Sequence, residues 1–522
     1  MKSIFHLRTQ GFRSSHLIEL LGQAHADGFD EVNIHWERFP HSFETEPAYS
    51  LEEVRAIDAA CEKLGFDVIA ASHSFSHSDD ILRLPSFSHL RSGGDSMELT
   101  GRTVDIMLLV AKELKEAHPR MRFVHLGGDE ITTFASSPAE NRYAVERGRS
   151  ALYIDFVNQL AIGLGKLGLR LALWSDMLIR FPEKATELDR SVLIFYWDYW
   201  GEGERSPFVS IGGGLSDIFI LNRSALRGDL QKLLFSWLAR EKCEIPLGHW
   251  RRFAPYWELD SEETSARSFP YSEWFRTMGF EHVSCLLPIP EKGSFLPPVA
   301  QKLDHMRGFI RRGKSAGGSG WMACSWGDFW PPLVMFRPGL LVALSIAGDL
   351  DADGEAIYAN AAQRLGSPWT KAALKGWCEA GAHIEFADIL DNNWGKLPMA
   401  GRLEWLEEAG WLAGDLDRAE TIAARCETLL ANAMAGFPLD GWERFAIEDM
   451  AWRCRLEIAC HHRERDQLRQ LIDQGRLLRK RATRLFARWW PDAALKTQIA
   501  KRYDQWEQAA AQAVAFTSTD NG

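Results

Sequence analysis

The stretch Phe123-Val124-His125-Leu126-Gly127-Gly128-Asp129-Glu130 decides how the chain is read. A short apolar run enters two glycines, which let the backbone turn without steric cost, and two adjacent carboxylates follow at the end of the expected strand. In a regular strand such neighbours would face opposite ways. On a loop after Gly-Gly both can turn into one pocket, where mutual repulsion and partial burial raise one pKa toward that of a useful general acid. A solvated loop is the alternative for an Asp-Glu pair taken alone.

Working outward, short apolar runs alternate with amphipathic stretches over the first 340 residues, the pattern of βα units. Strands are expected at Ile4–Leu7, Val32–His35, Val68–Ala71, Phe123–Leu126, Leu169–Trp174, Val192–Tyr196, Val283–Leu286 and Met322–Trp326. Between them, Ser15–Ala26, Thr100–Ala117 and Ala151–Leu167 carry apolar residues at spacings of three and four and read as crossover helices. Eight such strands predict an α/β fold, a (β/α)8 TIM barrel over residues 1–340, with a doubly wound sheet as the alternative. Polar and aromatic residues gather after the strands, where a barrel builds its active site.

The stretch from Gly201 to Arg267, after the sixth strand, is long, rich in Trp, Arg and Gly, and reads as an insertion that roofs the pocket or makes a subunit contact. Its Gly212-Gly213-Gly214 run lacks the Lys-Ser/Thr of a phosphate loop and reads as a turn. From Leu341 the strand signals vanish, so residues 341–522 are expected to form a helical domain, with Ser367 and Pro368 opening a helix that runs to about Asp391.

Composition narrows the function. The 522 residues carry a net charge of -11 with no long Lys/Arg block, which argues against nucleic acid as a partner. No apolar run approaches the roughly 20 residues of a membrane helix. Eight cysteines without a C-x-x-C pair point to reduced thiols, and no signal-peptide core opens the chain, so a cytoplasmic protein is expected. Tryptophan, 21 residues against nine tyrosines, supplies broad apolar plates suited to sugar faces as well as to cores.

The HLGGDE motif at residues 125–130 resembles the His-x-Gly-Gly-Asp-Glu signature of glycoside hydrolase family 20, the β-N-acetylhexosaminidases, most closely its hexosaminidase D-like branch. The likeness runs over about residues 1–340 and takes in Leu173-Trp174-Ser175-Asp176-Met177-Leu178 and Trp197-Asp198-Tyr199. It implies an exo-acting, retaining enzyme that removes terminal β-linked GlcNAc or GalNAc, with the substrate's own acetamido group as nucleophile. By the same likeness Glu130 is the acid and base, Asp129 holds the acetamido N–H, and Tyr199 aims its carbonyl oxygen. Trp174 and Trp326, with Trp197 and Asp176 in the matching phrases, are expected around the sugar. Arg8 and Asp328, where the family more commonly has Glu, would grip the outer hydroxyls, and His77 would support Glu130. The expected partner is a small amino-sugar glycoside; no cofactor and no metal is expected, and a homodimer is compatible. Two rival readings remain at this stage: a metal-dependent hydrolase using His73, His77, Asp129 and Glu130, and a sugar-binding barrel without catalysis.

Overall fold

A computed structural model describes residues 1–9, 11–36, 48–72, 75–131, 133–201, 203–212, 217–226, 240–288, 296, 299–326, 333–381, 412–462, 465–497, 499–500 and 503–504. The chain divides into two compact units, one of Met1–Leu286 with Asp304–Cys324 and one of Leu287–Leu303 with Ser325–Gly522.

The first unit is the expected barrel. Its strands are β1 (Lys2–Arg8), β2 (Glu31–His35), β3 (Asp67–Ala71), β4 (Phe123–His125), β5 (Arg170–Trp174), β6 (Leu193–Trp197), β7 (His282–Leu286) and β8 (Gly320–Ala323). Every neighbouring pair is parallel, and β8 closes on β1 through Lys2 opposite Gly320 and Ile4 opposite Met322. Strands in such a sheet are covered on both faces, which explains their near-continuous apolar runs; Leu7, Ile34, Val124, Leu171, Phe195, Cys285 and Met322 are all buried. The last strand ends sooner than the sequence suggests. Its ladder runs on only to Cys324, whose N–H donates to the Leu286 carbonyl at 2.8 Å, and Trp326 lies beyond it.

Crossover helices form at Ser14–Ala26, Leu51–Leu64, Gly101–Ala117 and Arg149–Lys166. The second of these starts on a capping box in which Ser50 and Glu53 satisfy each other's backbone N–H groups. The insertion between β6 and β7 leaves and returns through a narrow neck, with Arg205–Ser206 antiparallel to Ala266–Arg267. Beyond the neck, Phe208–Ser210 pairs with Ile218–Ile220, and a helix spans Leu247–Trp257. Of the triple glycine, only Gly212 falls within the described residues.

In the second unit the described elements after Ser325 are helical, including Arg337–Gly348, Gly354–Leu365, Lys371–Ala380, Leu412–Ala431, Trp442–His462 and Arg465–Phe486. The helix expected to open at Ser367 starts instead after Thr370, whose hydroxyl accepts the Ala373 N–H at 3.1 Å. Residues 366–369 are spent in a turn, with the Trp369 N–H donated to the Gly366 carbonyl, so the cap moves downstream. Among the described residues no helix is long and apolar enough to cross a membrane.

The turn after β4 depends on its glycines. Gly127 and Gly128 are left-handed, with φ of 61° and 83°, and a Cβ on Gly128 would sit 2.7 Å from Cζ of Phe75. Gly128→Ala is therefore expected to lose about 1–3 kcal/mol of stability, read as a lowered midpoint in chemical denaturation; an unchanged midpoint would mean that the turn does not need its glycine.

Candidate active site

The β4 turn is built from its own motif. His125 is buried, and its Nδ1 accepts the Gly127 N–H at 3.1 Å, which makes it a neutral acceptor that shapes the turn. Burial agrees, holding its pKa down at about 3. The Gly127 carbonyl then accepts the Trp174 N–H at 3.0 Å, tying this turn to the end of β5. The next residues turn outward: Asp129 follows the glycines, and Glu130 takes a left-handed φ of 49°, costly for a residue with a side chain.

What holds Glu130 there is Asp176, just beyond β5. Asp176 Oδ2 accepts the Glu130 N–H at 2.8 Å, and its Oδ1 accepts the Trp197 indole N–H at 3.3 Å. One buried carboxylate thus bridges the ends of β4, β5 and β6. Burial first, then the charge of Asp129, pushes the Asp176 pKa up to about 7.

His77, from the loop after β3, completes the cluster. Its Nε2 lies 3.5 Å from Glu130 Oε2 and 3.7 Å from Asp129 Oδ2, while its Nδ1 lies 3.0 Å from Asp95 Oδ2. The hydrogen bond to Glu130, with the charges of Asp129 and Asp95, overcomes the opposing effect of burial and pushes the His77 pKa up to about 10. His77 is therefore an imidazolium at neutral pH, with a carboxylate at either ring nitrogen. Asp129 is held by Ser76, whose hydroxyl donates to its Oδ1 at 3.2 Å. Burial raises its pKa most, with Glu130 adding to the rise and His77 opposing it.

The aromatic residues stand beside this cluster. Trp197 and Tyr199 are both buried, with ring centroids 5.3 Å apart and planes tilted by 36°. Asp198 between them turns away: its Oδ1 accepts the N–H groups of Trp200 and Gly201, each at 3.0 Å, and so fixes the turn that carries Tyr199. Trp174 packs edge-on against His125 at 4.5 Å and against Phe195 at 5.8 Å. Arg8 ends β1, close enough to buried His6 for its charge to help depress that residue's pKa, after burial itself. Trp326 is half-buried and belongs to the second unit, and Asp328 and His73 lie outside the described residues.

Asp129, Glu130, His77, Asp176 and Trp197 thus come together through direct contacts. Sequence reading missed Asp95 and Ser76. Ser76 adjoins His77, but Asp95 sits in the turn between the antiparallel strands Arg91–Gly93 and Ser96–Met97, and only its contact with His77 reveals it.

The Asp-Glu turn clasped by a histidine stands at the C-terminal ends of the strands, and the closed parallel barrel makes this a (β/α)8 protein by fold. In sequence it is similar to human hexosaminidase D, with 25% identity over 222 residues covering 38% of this chain and 44% of that protein. The chain thus matches under half the length of that curated relative. No protein-family model matches it. Among solved structures, a Flavobacterium johnsoniae chitobiase described as GH20 matches with 12% identity and a TM-score of 0.47, covering 98% of this chain and 78% of that one. Dispersin B matches with 13% identity and a TM-score of 0.41, covering 64% of this chain and 95% of that one.

The clasp makes a sign-definite prediction. A histidine whose pKa is raised on folding stabilises the protein fully below its unfolded value of about 6.5 and loses that contribution as pH rises through the folded value; for His77 the loss falls between there and about 10. Histidine-selective NMR should show one imidazole, absent in His77→Gln, that stays protonated at neutral pH and titrates earlier in Asp95→Asn. Titration near 6.5 in the unsubstituted protein would remove the clasp.

Proposed function

We propose that the protein is an exo-acting, retaining β-N-acetylhexosaminidase that hydrolyses terminal β-linked GlcNAc or GalNAc with the substrate's acetamido group as nucleophile. One observation carries this reading. Both carboxylates of the Asp129-Glu130 pair approach the same imidazole nitrogen, and the three ligand atoms lie within 4.8 Å of one another. Acids that share one nitrogen stand on one side of a sugar ring, whereas a two-carboxylate glycosidase needs its pair to flank the scissile bond. A nucleophile supplied by the sugar itself resolves that geometry.

In this mechanism the acetamido carbonyl oxygen attacks the anomeric carbon, and the bond to the leaving oxygen breaks as Glu130 protonates it. The product of this step is an oxazolinium ion. His77, charged and against Glu130, favours the carboxylate that Glu130 becomes on giving up its proton. Asp129 accepts the acetamido N–H and opposes the positive charge that grows on the ring. Tyr199 donates to the acetamido oxygen and aims it, and Trp174 and Trp197 wall the acetamido group. Glu130 then takes a proton from water, whose oxygen bonds the anomeric carbon as the oxazolinium C–O bond breaks, so the acetamido group is regenerated and the configuration restored. Arg8 is assigned to the outer hydroxyls, the enzyme needs no cofactor, and it works in the cytoplasm. The same three side chains have the donor set of a metal site, but an imidazolium with a pKa of about 10 already lies between the carboxylates, so a cation would have to displace its proton.

Glu130→Gln is expected to slow hydrolysis of an aryl N-acetyl glycoside by about 10²–10⁴-fold. A thiazoline mimic of the oxazolinium should inhibit the unsubstituted enzyme. Equal cleavage of glycosides without the acetamido group would sink the substrate-assisted scheme. Asp129→Asn should act mainly on kcat, because its partner charge develops after binding; a change confined to KM would reject the role assigned to it.

A further inference from the structure

From Glu130 a line of side chains leads out of the site and into the insertion. Asp176 and Arg180 are the first and last residues of one short helix, four apart, which places them on the same face. Each feels the other's charge: Arg180 opposes the burial that raises Asp176, and Asp176, after Asp217, offsets the burial that works against the charge on Arg180. On the far side Arg180 Nη2 donates to Asp217 Oδ2 at 2.6 Å, with both side chains largely buried. The Arg180 carbonyl accepts from His249 Nε2 at 3.0 Å.

Asp217 and His249 both belong to the insertion, His249 on its helix Leu247–Trp257. A third residue of the insertion is fitted to the same guanidinium. Gly212 has φ +114°, and a Cβ there would lie 3.1 Å from both Arg180 Nε and Asp217 Oδ2. Three separate positions of the insertion therefore converge on one barrel residue. A buried ion pair is poor evidence of stability, since desolvation cancels much of its attraction, but it is a good device for fixing register.

We propose that Arg180 is a positioning residue through which the insertion sets the acid: anchored by Asp217 and His249, it keeps a positive charge one helical turn from the Asp176 carboxylate, and Asp176 holds Glu130 in its left-handed conformation through the backbone N–H. This role for the insertion rests on Glu130 being the acid of the reading above. Arg180 is the positive charge that opposes the carboxylates of Asp129 and Glu130 at Asp176, while the His77 imidazolium sits on the far side against those two acids, so removing Arg180 leaves their repulsion of Asp176 opposed less. The Tyr153 hydroxyl, which also feels Asp176 and Asp129, carries no charge at neutral pH.

The test uses the full chain with Arg180→Met, Arg180→Lys and Asp217→Asn, and reads kcat and KM for an aryl N-acetyl glycoside across pH, with active sites counted by a thiazoline inhibitor. Arg180→Met is expected to lower kcat about tenfold or more per active site with KM little changed. Its acid limb should move to higher pH, because the charge that favours the Asp176 carboxylate is gone. Arg180→Lys should restore the limb, and Asp217→Asn should give an intermediate loss of kcat. A lower melting temperature with kcat per site and the limb both unmoved would overturn the proposal and leave Arg180 a structural residue. If the unsubstituted enzyme cleaves no N-acetyl glycoside, the functional reading falls instead. Carboxyl ¹³C NMR on the same variants then decides the coupling without substrate: a raised Asp176 pKa in Arg180→Met supports it, and an unmoved one overturns it.

Discussion

The bond from the Glu130 N–H to Asp176 Oδ2, 2.8 Å long, is the constraint on which the rest of the site depends. Adjacent carboxylates on a glycine turn have no intrinsic reason to hold one arrangement, and a left-handed glutamate would relax if it were free to do so. By accepting that N–H and the Trp197 indole together, Asp176 ties the ends of three neighbouring strands to one carboxylate. The strand register of the barrel then fixes where the acid stands. The charge of Asp129 reaches Asp176 in this arrangement and, after burial, disfavours a second charge there.

The barrel was legible because parallel strands buried on both faces are read as apolar runs, and each expected strand overlaps an observed one. Their ends were less legible. Burial continues past the last paired residue, so apolar character carried the eighth strand on to Trp326, whereas pairing stops near Ala323. The helix expected at Ser367 shows the same limit: two residues fit for a cap lay close together, and the turn at Gly366 chose Thr370.

That the motif residues lie together in space was legible, and the groups that brace them were not. Glu130, Asp129 and His77 lie near strand ends, where the barrel rule directs attention. Asp95 and Ser76 act through side-chain contacts made across loops, which no spacing encodes. Asp176 belongs to the sequence phrase around Trp174, yet its side chain accepts from a backbone group 46 residues earlier in the chain. His125 was part of the motif too, but its ring is spent on the turn itself and is neutral through burial.

Solvent reaches the two acids unequally. The Glu130 side chain is 45% exposed, against 19% for Asp129. In the mechanism proposed above, a carboxyl so placed would trade hydrogen ions with bulk water directly and would need no relay of internal hydroxyls to be reloaded. Asp129, against Ser76 and His77, is the more enclosed of the two, and its ionisation is governed by those surroundings rather than by bulk water.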